Sequence, residues 1–241
     1  MFSKKILLGA LVGLGAGLAV SSVFANGFIQ DAGPYVGVQG GYTRAYYDSE
    51  KNYVESFQNY SVNEGGFGGR LYAGWSFNPY LSVEGGYTQF AKNKYSFNST
   101  DGILYGNGDE TIKTNAWDVV GKVSLPLSVF NPSLTGLSLY AKGGAAYVTA
   151  NDSGSVSVIT NFPDADLNNS NSSFDATAHS WAPVYGVGAA YTFSNNFGLD
   201  ASFTRIQGSA HFSGDSFSPN ANLFAVGASY KFDLLNQSNA S

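Results

Sequence analysis

The stretch FGGRLYAGWSFNPYLSVEGGYT, residues 67–88, alternates bulky apolar side chains with small or polar ones. Two-residue alternation is the period of a β-strand, in which successive side chains point to opposite faces. Asn78-Pro79 interrupts the alternation, and this pair is typical of a turn. The stretch therefore predicts two antiparallel strands joined as a hairpin.

The same alternation recurs along the chain and predicts eight strands in total. Each predicted strand sets a bulky face against a face of Gly, Ala, Ser and Thr that carries a few charged residues. Ten strands remain an alternative, because Ser155–Thr160 could form part of an extra hairpin. The eight segments begin at Tyr35, Phe67, Leu81, Trp117, Leu137, Trp181, Phe197 and Phe224.

The composition of the 241 residues excludes several classes of protein. Aromatic residues make up 15% of the chain and charged residues only 12%, whereas disordered chains are rich in charge and poor in aromatics. The absence of cysteine excludes a disulfide scaffold and a cysteine-based zinc site. The net charge of -5 leaves no excess of cations for phosphates, so no nucleic-acid partner is expected.

The N-terminus has the organisation of a secretory signal peptide. Lys4 and Lys5 precede the apolar run Ile6–Val20, and Ala25 is a small residue of the kind that signal peptidase requires. We expect cleavage after Ala25, because the alternative, a retained anchor, needs about 20 apolar residues to cross the hydrocarbon. The expected organisation is a signal peptide at 1–25, one β-barrel domain at 26–232 and a short tail at 233–241.

The two faces of the predicted strands indicate which environment each face meets. In a soluble barrel the bulky faces would fill the interior, but eight strands enclose too little room for them. The opposite faces carry too few charges for a soluble exterior. If the bulky faces point to lipid and the small, polar faces point to the lumen, both faces meet a suitable environment. A closed barrel also provides a hydrogen-bond partner for every backbone group in the hydrocarbon. The sequence therefore predicts an all-β, eight-stranded antiparallel transmembrane β-barrel with an up-and-down meander.

Aromatic residues cluster near the ends of the predicted strands. Transmembrane barrels carry aromatic girdles at both membrane interfaces. We expect ten residues to form these girdles: Tyr42, Trp75, Phe77, Tyr87, Tyr147, Tyr191, Phe193, Phe197, Tyr230 and Phe232.

The lengths of the connections predict the orientation of the barrel. Bacterial barrels have long extracellular loops and short periplasmic turns, so both chain ends are expected in the periplasm. The long connections are rich in Asn, Ser, Asp and Gly, and we expect Asn168–Ser173 to be a solvated, mobile segment. The long connections are residues 47–65, 91–115, 150–179 and 207–220, and the short ones are 78–80, 126–136 and 194–196.

Three strings of residues resemble the small OmpA-type outer-membrane β-barrels of Gram-negative bacteria. They are PYVGVQGGY at 34–42, NPYLSVEGGY at 78–87 and LSLYAKGG at 137–144. The resemblance covers residues 33–232 and implies an integral protein of the outer membrane.

The C-terminus matches that family in part. Tyr230-Lys231-Phe232 resembles the aromatic-ended last strand that such proteins present to the barrel assembly machinery, although here the chain continues to Ser241. The family often adds a peptidoglycan-binding domain. Residues 233–241 are too few for a domain, so a cell-wall tether is not expected.

Seven charged residues lie on the predicted inner faces. An unpaired charge in so narrow a lumen costs on the order of several kcal/mol, so we expect the charges to pair. The hairpin register places Glu84 and Lys122 at similar depth on neighbouring strands, and the resemblance implies a comparable cluster of acid and base pairs. A static ionic plug is favoured over a gated ion path because eight strands enclose little space. The seven residues are Arg70, Glu84, Asp118, Lys122, Lys142, Asp200 and Lys231.

No catalytic site is predicted. A hydrolase at the barrel rim would need one of the two histidines, of which His179 lies beside Ser180 and His211 lies close to Ser213 and Asp215. Closeness in sequence does not align a nucleophile with its base, so catalysis is not expected.

No metal or cofactor site is predicted either. Asp101–Glu110 carries oxygen ligands of the type that calcium prefers, but their spacing does not match the EF-hand loop. A solvated loop is the preferred interpretation of this segment.

Two functional hypotheses follow. The first is an integral outer-membrane barrel with a structural and surface-contact role, a lumen plugged by paired charges and long extracellular loops. The alternative is a small-conductance, porin-like channel for ions or small solutes, and a lipid hydrolase at the rim is a remote third. The expected partners are outer-membrane lipid, lipopolysaccharide, and a host or surface ligand at the loops.

Overall fold

A computed structural model describes residues 32–46, 59–101, 104–160, 168–208, 213–214 and 219–232. The expected signal peptide at 1–25 and the expected tail at 233–241 lie outside the described residues. Within the described ranges, no helix is long and apolar enough to cross a membrane.

Almost all of the described chain is β-strand. Two 3₁₀ turns, Leu127–Val129 and Pro132–Leu134, interrupt the strands. The strands are β1 (Gly33–Tyr46), β2 (Asn59–Asn63), β3 (Gly65–Ser76), β4 (Leu81–Gln89), β5 (Asn93–Asp101), β6 (Leu104–Pro126), β7 (Leu137–Thr160), β8 (Asn168–Thr192), β9 (Phe197–Ile206), β10 (Ser213–Gly214) and β11 (Asn220–Lys231).

Eight of these strands form a closed antiparallel ring. The ring runs β1–β3–β4–β6–β7–β8–β9–β11, and β11 pairs back onto β1 from Tyr35↔Lys231 to Tyr46↔Asn220. Closure leaves no free sheet edge within the ring. The predicted eight-stranded meander is therefore confirmed, and Ser155–Thr160 continues β7 instead of starting a further pair of ring strands.

One end of the ring, here called the turn end, carries the short connections and both described chain ends. At the β3–β4 turn the Asn78 carboxamide oxygen accepts hydrogen bonds from the backbone N–H groups of Tyr80 and Leu81, both at 2.8 Å. Asn196 adopts a left-handed φ of 65° in the β8–β9 turn. Asn favours both roles, because its short amide bonds to nearby backbone and tolerates this conformation.

The opposite end, here called the distal end, corrects the expected loops. Residues 91–115 and 150–179 are mostly strand: β5 and β6 pair from Asn93↔Ile112 to Asp101↔Leu104, and β7 and β8 pair out to Thr160↔Asn168. The segment expected to be solvated and mobile, Asn168–Ser173, belongs to β8. Polar residues pair as strands here because each strand is continuous with a ring strand and inherits its register. Of the other expected loops, residues 47–58, 209–212 and 215–218 lie outside the described residues.

These extensions form one sheet beyond the ring, here called the distal sheet. It comprises β2, β5, and residues 104–115 of β6, 148–160 of β7 and 168–179 of β8. The expected calcium-type segment Asp101–Glu110 falls in its β5–β6 hairpin, so the interpretation of that segment as a solvated loop is wrong. Asp109 and Glu110 are consecutive strand residues and point to opposite faces.

The buried apolar core lies inside the ring and under the distal sheet. The expectation of a small and polar interior holds in part toward the turn end, where the buried tyrosines Tyr35, Tyr72 and Tyr140 also point inward. It is wrong toward the distal end, where branched and aromatic apolar side chains point inward. The cluster comprises Ala45, Phe90, Tyr95, Ile112, Ala116, Val120, Ala146, Val148, Ala150, Ala182, Val184, Ile206 and Ala221.

Candidate functional site

The inner charges lie on strands whose alternation turns them toward the axis. Along β3 the side chains of Leu71 and Trp75 are exposed outward, and those of Arg70 and Tyr72 are buried. The same alternation buries Glu84 on β4 and Asp118 on β6. The local period of the strand therefore places these charges in the lumen.

Four of the seven predicted charges form one connected ion cluster. The Arg70 guanidinium makes a bidentate contact with Asp118, with Nη2 2.6 Å from Oδ1 and Nε 3.2 Å from Oδ2. Its Nη1 lies 3.2 Å from Glu84 Oε2, and Lys122 Nζ lies 3.1 Å from Glu84 Oε1. Tyr35 donates its hydroxyl to Glu84 Oε1 at 3.0 Å. The cluster thus links strands β3, β4 and β6 through charge-assisted hydrogen bonds, the stronger kind.

Arg70 needs a glycine opposite it. The carbon of an added side chain at Gly86 would lie 2.6 Å from Arg70 Nη2, which is too close. Gly86 is the residue of β4 that pairs with Asp118 on β6. The guanidinium therefore crosses β4 over a position that only glycine leaves empty.

The other three predicted charges are placed differently. Lys142 is 6% exposed and sits directly opposite Lys122 across β6 and β7, and among the described residues no carboxylate lies within 4.0 Å of it. Asp200 accepts hydrogen bonds from Gln39 at 2.6 Å and Tyr140 at 3.1 Å, and within the described ranges it has no cationic partner. Lys231 lies nearer the turn end, opposite Tyr35.

A polar vestibule opens at the turn end below the cluster. Its volume is about 480 Å³, and Lys122, Asp200 and Lys231 reach its wall. Two buried oxygens near it, Asp200 Oδ1 and Gln39 Oε1, have no hydrogen-bond partner among the described residues. The vestibule ends at the ion cluster, because Lys122 belongs to both.

An apolar layer lies on the distal side of the ion cluster. Ile112, Val148, Val184 and Ile206 are each at most 3% exposed and come from four ring strands. This layer was not among the features predicted from the sequence. Its signal was present in the inward positions of β6 to β9, which change from charged and small residues to branched ones as the strands leave the turn end.

Outward-facing aromatic residues, exposed or half-buried, form two bands on the outer surface. The band at the turn end holds seven of the ten predicted girdle residues: Trp75, Phe77, Tyr191, Phe193, Phe197, Tyr230 and Phe232. The other band, here called the distal belt, has one residue on each ring strand. Its members are Tyr42, Phe67, Tyr87, Trp117, Tyr147, Trp181, Phe203 and Phe224.

On β6, β7 and β8 the distal belt lies well within the strands and not at their ends. Tyr87 pairs with Trp117, Trp117 with Tyr147 and Tyr147 with Trp181, so four neighbouring strands carry an aromatic residue in direct register. The ring centroids of Tyr147 and Trp181 are 5.2 Å apart. The predicted girdle included three members of this belt, Tyr42, Tyr87 and Tyr147. The other members could be recognised only once the cross-strand register was known.

The structure separates the residues considered for catalysis. His179 faces outward and stacks on the Tyr147 ring at 5.6 Å, with its Nδ1 3.1 Å from Thr149 Oγ1. Ser180 faces the opposite side of β8 and is buried. His211 and Asp215 lie outside the described residues, as does the side chain of Ser213. Among the described residues there is no group of three or more His, Asp or Glu arranged to hold a metal ion.

The chain is similar to outer-membrane proteins along nearly its whole length. A family model described as outer membrane protein beta-barrel domain matches residues 9–232. An uncharacterized protein of Coxiella burnetii (strain RSA 493 / Nine Mile phase I) is 26% identical over 253 residues, which is 95% of this chain and 99% of that protein.

Solved structures with a similar chain course are also outer-membrane proteins. The attachment invasion locus protein Ail of Yersinia pestis is 19% identical, with a TM-score of 0.42, over 83% of this chain and 99% of its own. The outer membrane protein OprG of Pseudomonas aeruginosa is 17% identical, with a TM-score of 0.44, over 85% and 99%. Its family match over residues 9–232 shows that the chain belongs to the outer membrane protein β-barrel family, and its ring strands close into an eight-stranded barrel.

Proposed function

We propose that this protein is a closed structural barrel of the outer membrane that presents its distal sheet for surface contact. The observation that carries the proposal is the succession of two buried layers across one narrow lumen. The cluster around Arg70 and Glu84 fills the section next to the vestibule, and the layer around Ile112 and Val148 fills the section beyond it. Water or ions would have to displace both, and eight strands leave little space to do so.

The orientation forms part of the proposal. The turn end, with both chain ends, faces the periplasm, and the distal sheet faces the exterior, as the asymmetry of bacterial barrels suggests. The signal peptide at 1–25 directs export, and Tyr230–Phe232, at the end of the last strand, is presented to the barrel assembly machinery. The two aromatic bands lie at the two membrane interfaces, in contact with outer-membrane lipid and lipopolysaccharide.

The absence of native cysteine makes the orientation directly testable. We expect a membrane-impermeant maleimide added to intact cells to label Ser172→Cys in the distal sheet and not Thr135→Cys at the turn end. Both side chains are exposed. Labelling of Thr135→Cys alone would reverse the orientation, and labelling of the two after lysis provides the control.

Planar-bilayer recording tests the closed lumen. The refolded barrel is expected to give no steady conductance, both unchanged and with Glu84→Gln. A steady conductance that changes with Glu84→Gln would contradict the plug. Migration of heated against unheated samples in a detergent gel checks that each variant is folded, because closed barrels resist unfolding.

Surface contact is tested by shortening the distal sheet. Replacing residues 155–173 by a short turn removes residues of β7 and β8 beyond the pair Gly154↔Phe174, so the remaining register is kept. Cells that produce the full chain are expected to adhere to eukaryotic cell monolayers, and cells with the shortened chain are expected not to. Equal adhesion by both would contradict a contact role for these strands.

A channel for small ions or solutes is the second candidate, and the vestibule is the observation that favours it. Asp200 lines this space without a cationic partner among the described residues, as a site on an ion path would. The bilayer recording above separates the two functions. Enzyme activity is not proposed, because Ser180 and His179 face opposite sides of β8.

A further inference from the structure

The cationic side chains of the described residues fall into two separate groups. Four point into the lumen: Arg70, Lys122, Lys142 and Lys231. The other five are Arg44, Lys92, Lys94, Lys113 and Arg205, and all of them lie on the distal side of the distal belt. Within the described ranges, no cationic side chain lies on the outer surface between the aromatic band at the turn end and the distal belt, and none lies on the outer surface at the turn end. The outward positive charge of the described residues is therefore confined to the distal side of the distal belt.

Arg205 is the best defined member of this group. It lies two residues beyond Phe203 of the distal belt, about 7 Å along the strand. Its Nε lies 3.4 Å from Gln207 Oε1, and its Nη1 lies 3.3 Å from Asn222 Oδ1. Both partners are neutral amides, and among the described residues no carboxylate lies within 4.0 Å. The guanidinium is thus oriented by neutral groups, and no described carboxylate within 4.0 Å offsets its charge.

Neighbouring strands place further polar groups at the same level. Arg205 pairs with Asn222 on β11 and with Tyr185 on β8, and Asn222 pairs in turn with Arg44 on β1. The Tyr185 hydroxyl donates to Gln207 Oε1 at 3.0 Å. A continuous row of hydrogen-bonding groups therefore crosses four strands at the register of Arg205. The row lies just beyond the belt on β1, β9 and β11, whereas on β8 Tyr185 lies four residues on the turn-end side of Trp181.

The lysines form the other part of this outward-facing group. Lys113 on β6 lies four residues beyond Trp117, about 13 Å along the strand. Lys94 on β5 pairs with Thr111 and so shares the outer face with Lys113. Both side chains, and that of Lys92 just before β5, are exposed. We call Arg44, Lys92, Lys94, Lys113 and Arg205 the basic collar.

Two acidic residues lie on the described outer face, fewer than the five cations. Asp109 lies about 27 Å along its strand from the belt and Asp175 about 20 Å, the latter at the register of Lys94. Glu64 is buried and bonded to Arg44 at 2.9 Å. The collar therefore has a net positive charge although the chain as a whole is acidic.

We propose that the basic collar binds the phosphate groups of lipid A, the membrane anchor of lipopolysaccharide, with Arg205 as the main contact. The inference rests on the proposed orientation, which brings the collar to the headgroup level of the outer leaflet. The distal belt is where acyl chains end, so a phosphate bonded to Arg205 belongs to a lipid whose tails pass Phe203 and Phe224. A planar guanidinium matches two phosphate oxygens at once, and each lysine adds point attraction to an anionic surface.

The test is a titration of the folded barrel in detergent micelles, followed by native mass spectrometry. The probes are diphosphoryl lipid A, lipid A with its phosphates removed, and inorganic phosphate. We expect diphosphoryl lipid A to bind, and Arg205→Gln to weaken this binding about tenfold. Arg205→Lys should weaken the binding less than Arg205→Gln does, because the positive charge remains. Some loss is still expected, because lysine lacks the planar fork of the guanidinium. The double variant Lys94→Gln/Lys113→Gln should weaken it more in low salt than in high salt.

The control is Asp175→Asn, which changes one charge on the same face within the distal sheet. It should leave the affinity within about twofold, because Asp175 lies ten residues along β8 from Tyr185, the partner of Arg205, a distance of about 34 Å. Equal binding of the dephosphorylated lipid, or equal affinity of Arg205→Gln and the unchanged barrel, would overturn the proposal. Binding of inorganic phosphate as tight as that of lipid A would assign the collar to a free anion instead. The titration in micelles does not depend on the orientation of the barrel in the membrane. The cysteine-labelling experiment therefore tests the orientation separately from lipid A binding.

Discussion

Arg70 on β3 reaches over β4 to make a two-pronged contact with Asp118 on β6, and both side chains are almost fully buried. The contact therefore joins two strands that are not neighbours in the ring. Backbone pairing links only adjacent strands. The Arg70–Asp118 pair is thus one of the few interactions that connect non-adjacent strands, and it helps to set the cross-section of the barrel directly.

Removing the positive partner should destabilise the barrel strongly. Arg70→Met leaves the carboxylates of Asp118 and Glu84 buried with fewer partners, and breaking such a pair costs about 3–5 kcal/mol. Urea unfolding in lipid vesicles, followed by tryptophan fluorescence, measures the loss. Arg205→Gln on the outer face is the control and should change the free energy of unfolding by about 0.5 kcal/mol or less. Equal stability of Arg70→Met and the unchanged barrel would show that the ion cluster contributes little.

Two adjacent glycines provide a matched test of the space around Arg70. Gly86→Ala places a methyl group 2.6 Å from Arg70 Nη2, and we expect a cost of about 1–3 kcal/mol from displacement of the guanidinium. Gly85→Ala points to the outer face, where the nearest atom is 3.9 Å away, and should be tolerated. The same unfolding assay compares them. A cost at Gly85 that equals the cost at Gly86 would assign the effect to strand propensity and not to the ion cluster.

The two buried layers should act in series against conduction. Glu84→Gln weakens only the ion cluster, and Ile112→Ser with Val148→Ser weakens only the apolar layer, so each change alone should leave a planar bilayer silent. The combination of all three should produce measurable conductance. Conductance from the ion-cluster variant alone would mean that the apolar layer is no barrier. Unheated gel migration identifies variants that have lost the closed barrel.

The distal sheet should become more stable as the pH falls. Burial raises the pKa of Asp152 above the ordinary value of 3.8, and the nearby carboxylate of Asp175 raises it further, whereas a hydrogen bond from Glu110 lowers it. The folded state therefore binds a proton that the unfolded segment releases. Its stability is fully present below the ordinary pKa and is lost as the pH rises through the raised one.

Hydrogen exchange of the β7 and β8 amides, corrected for the intrinsic rate, measures this dependence. Protection of residues 150–157 should increase from pH 7 toward pH 4, and Asp152→Asn should remove most of the change. Asp109→Asn, in which the substituted carboxyl faces the other side of the sheet, should keep it. Protection that falls on acidification would reverse the sign and contradict the argument.

The tryptophans should report both aromatic bands. Trp75 lies in the band at the turn end, and Trp117 and Trp181 lie in the distal belt. With a hydrocarbon layer about 30 Å thick, each should lie about 15 Å from the bilayer centre. Quenching by lipids brominated at different depths, in variants that keep one tryptophan each, measures this distance. A position near the bilayer centre for Trp117 would contradict the placement of the belt.

The sequence by itself determined the eight ring strands, their alternation and the inward direction of the charges from Arg70 to Lys231. These features are local. A strand turns successive side chains to opposite faces wherever it lies, so bulky and small positions can be read directly from the order of residues. The turns at Asn78 and Asn196 were predictable for the same reason, because a short amide stabilises its own neighbourhood.

Only the tertiary structure decided which charges meet, where the strands end and what fills the distal lumen. The pairing of Arg70 with Asp118 depends on the stagger of three strands around the barrel, which no single strand specifies. The polar residues of 150–157 become strand because ring strands hold their partners in register. The apolar layer is assembled from single inward residues of several strands, such as Ile112 and Ile206, that come together only when the ring closes. Alternation is set within a strand, but stagger and closure are set between strands, and that is why the faces could be predicted and the contacts could not.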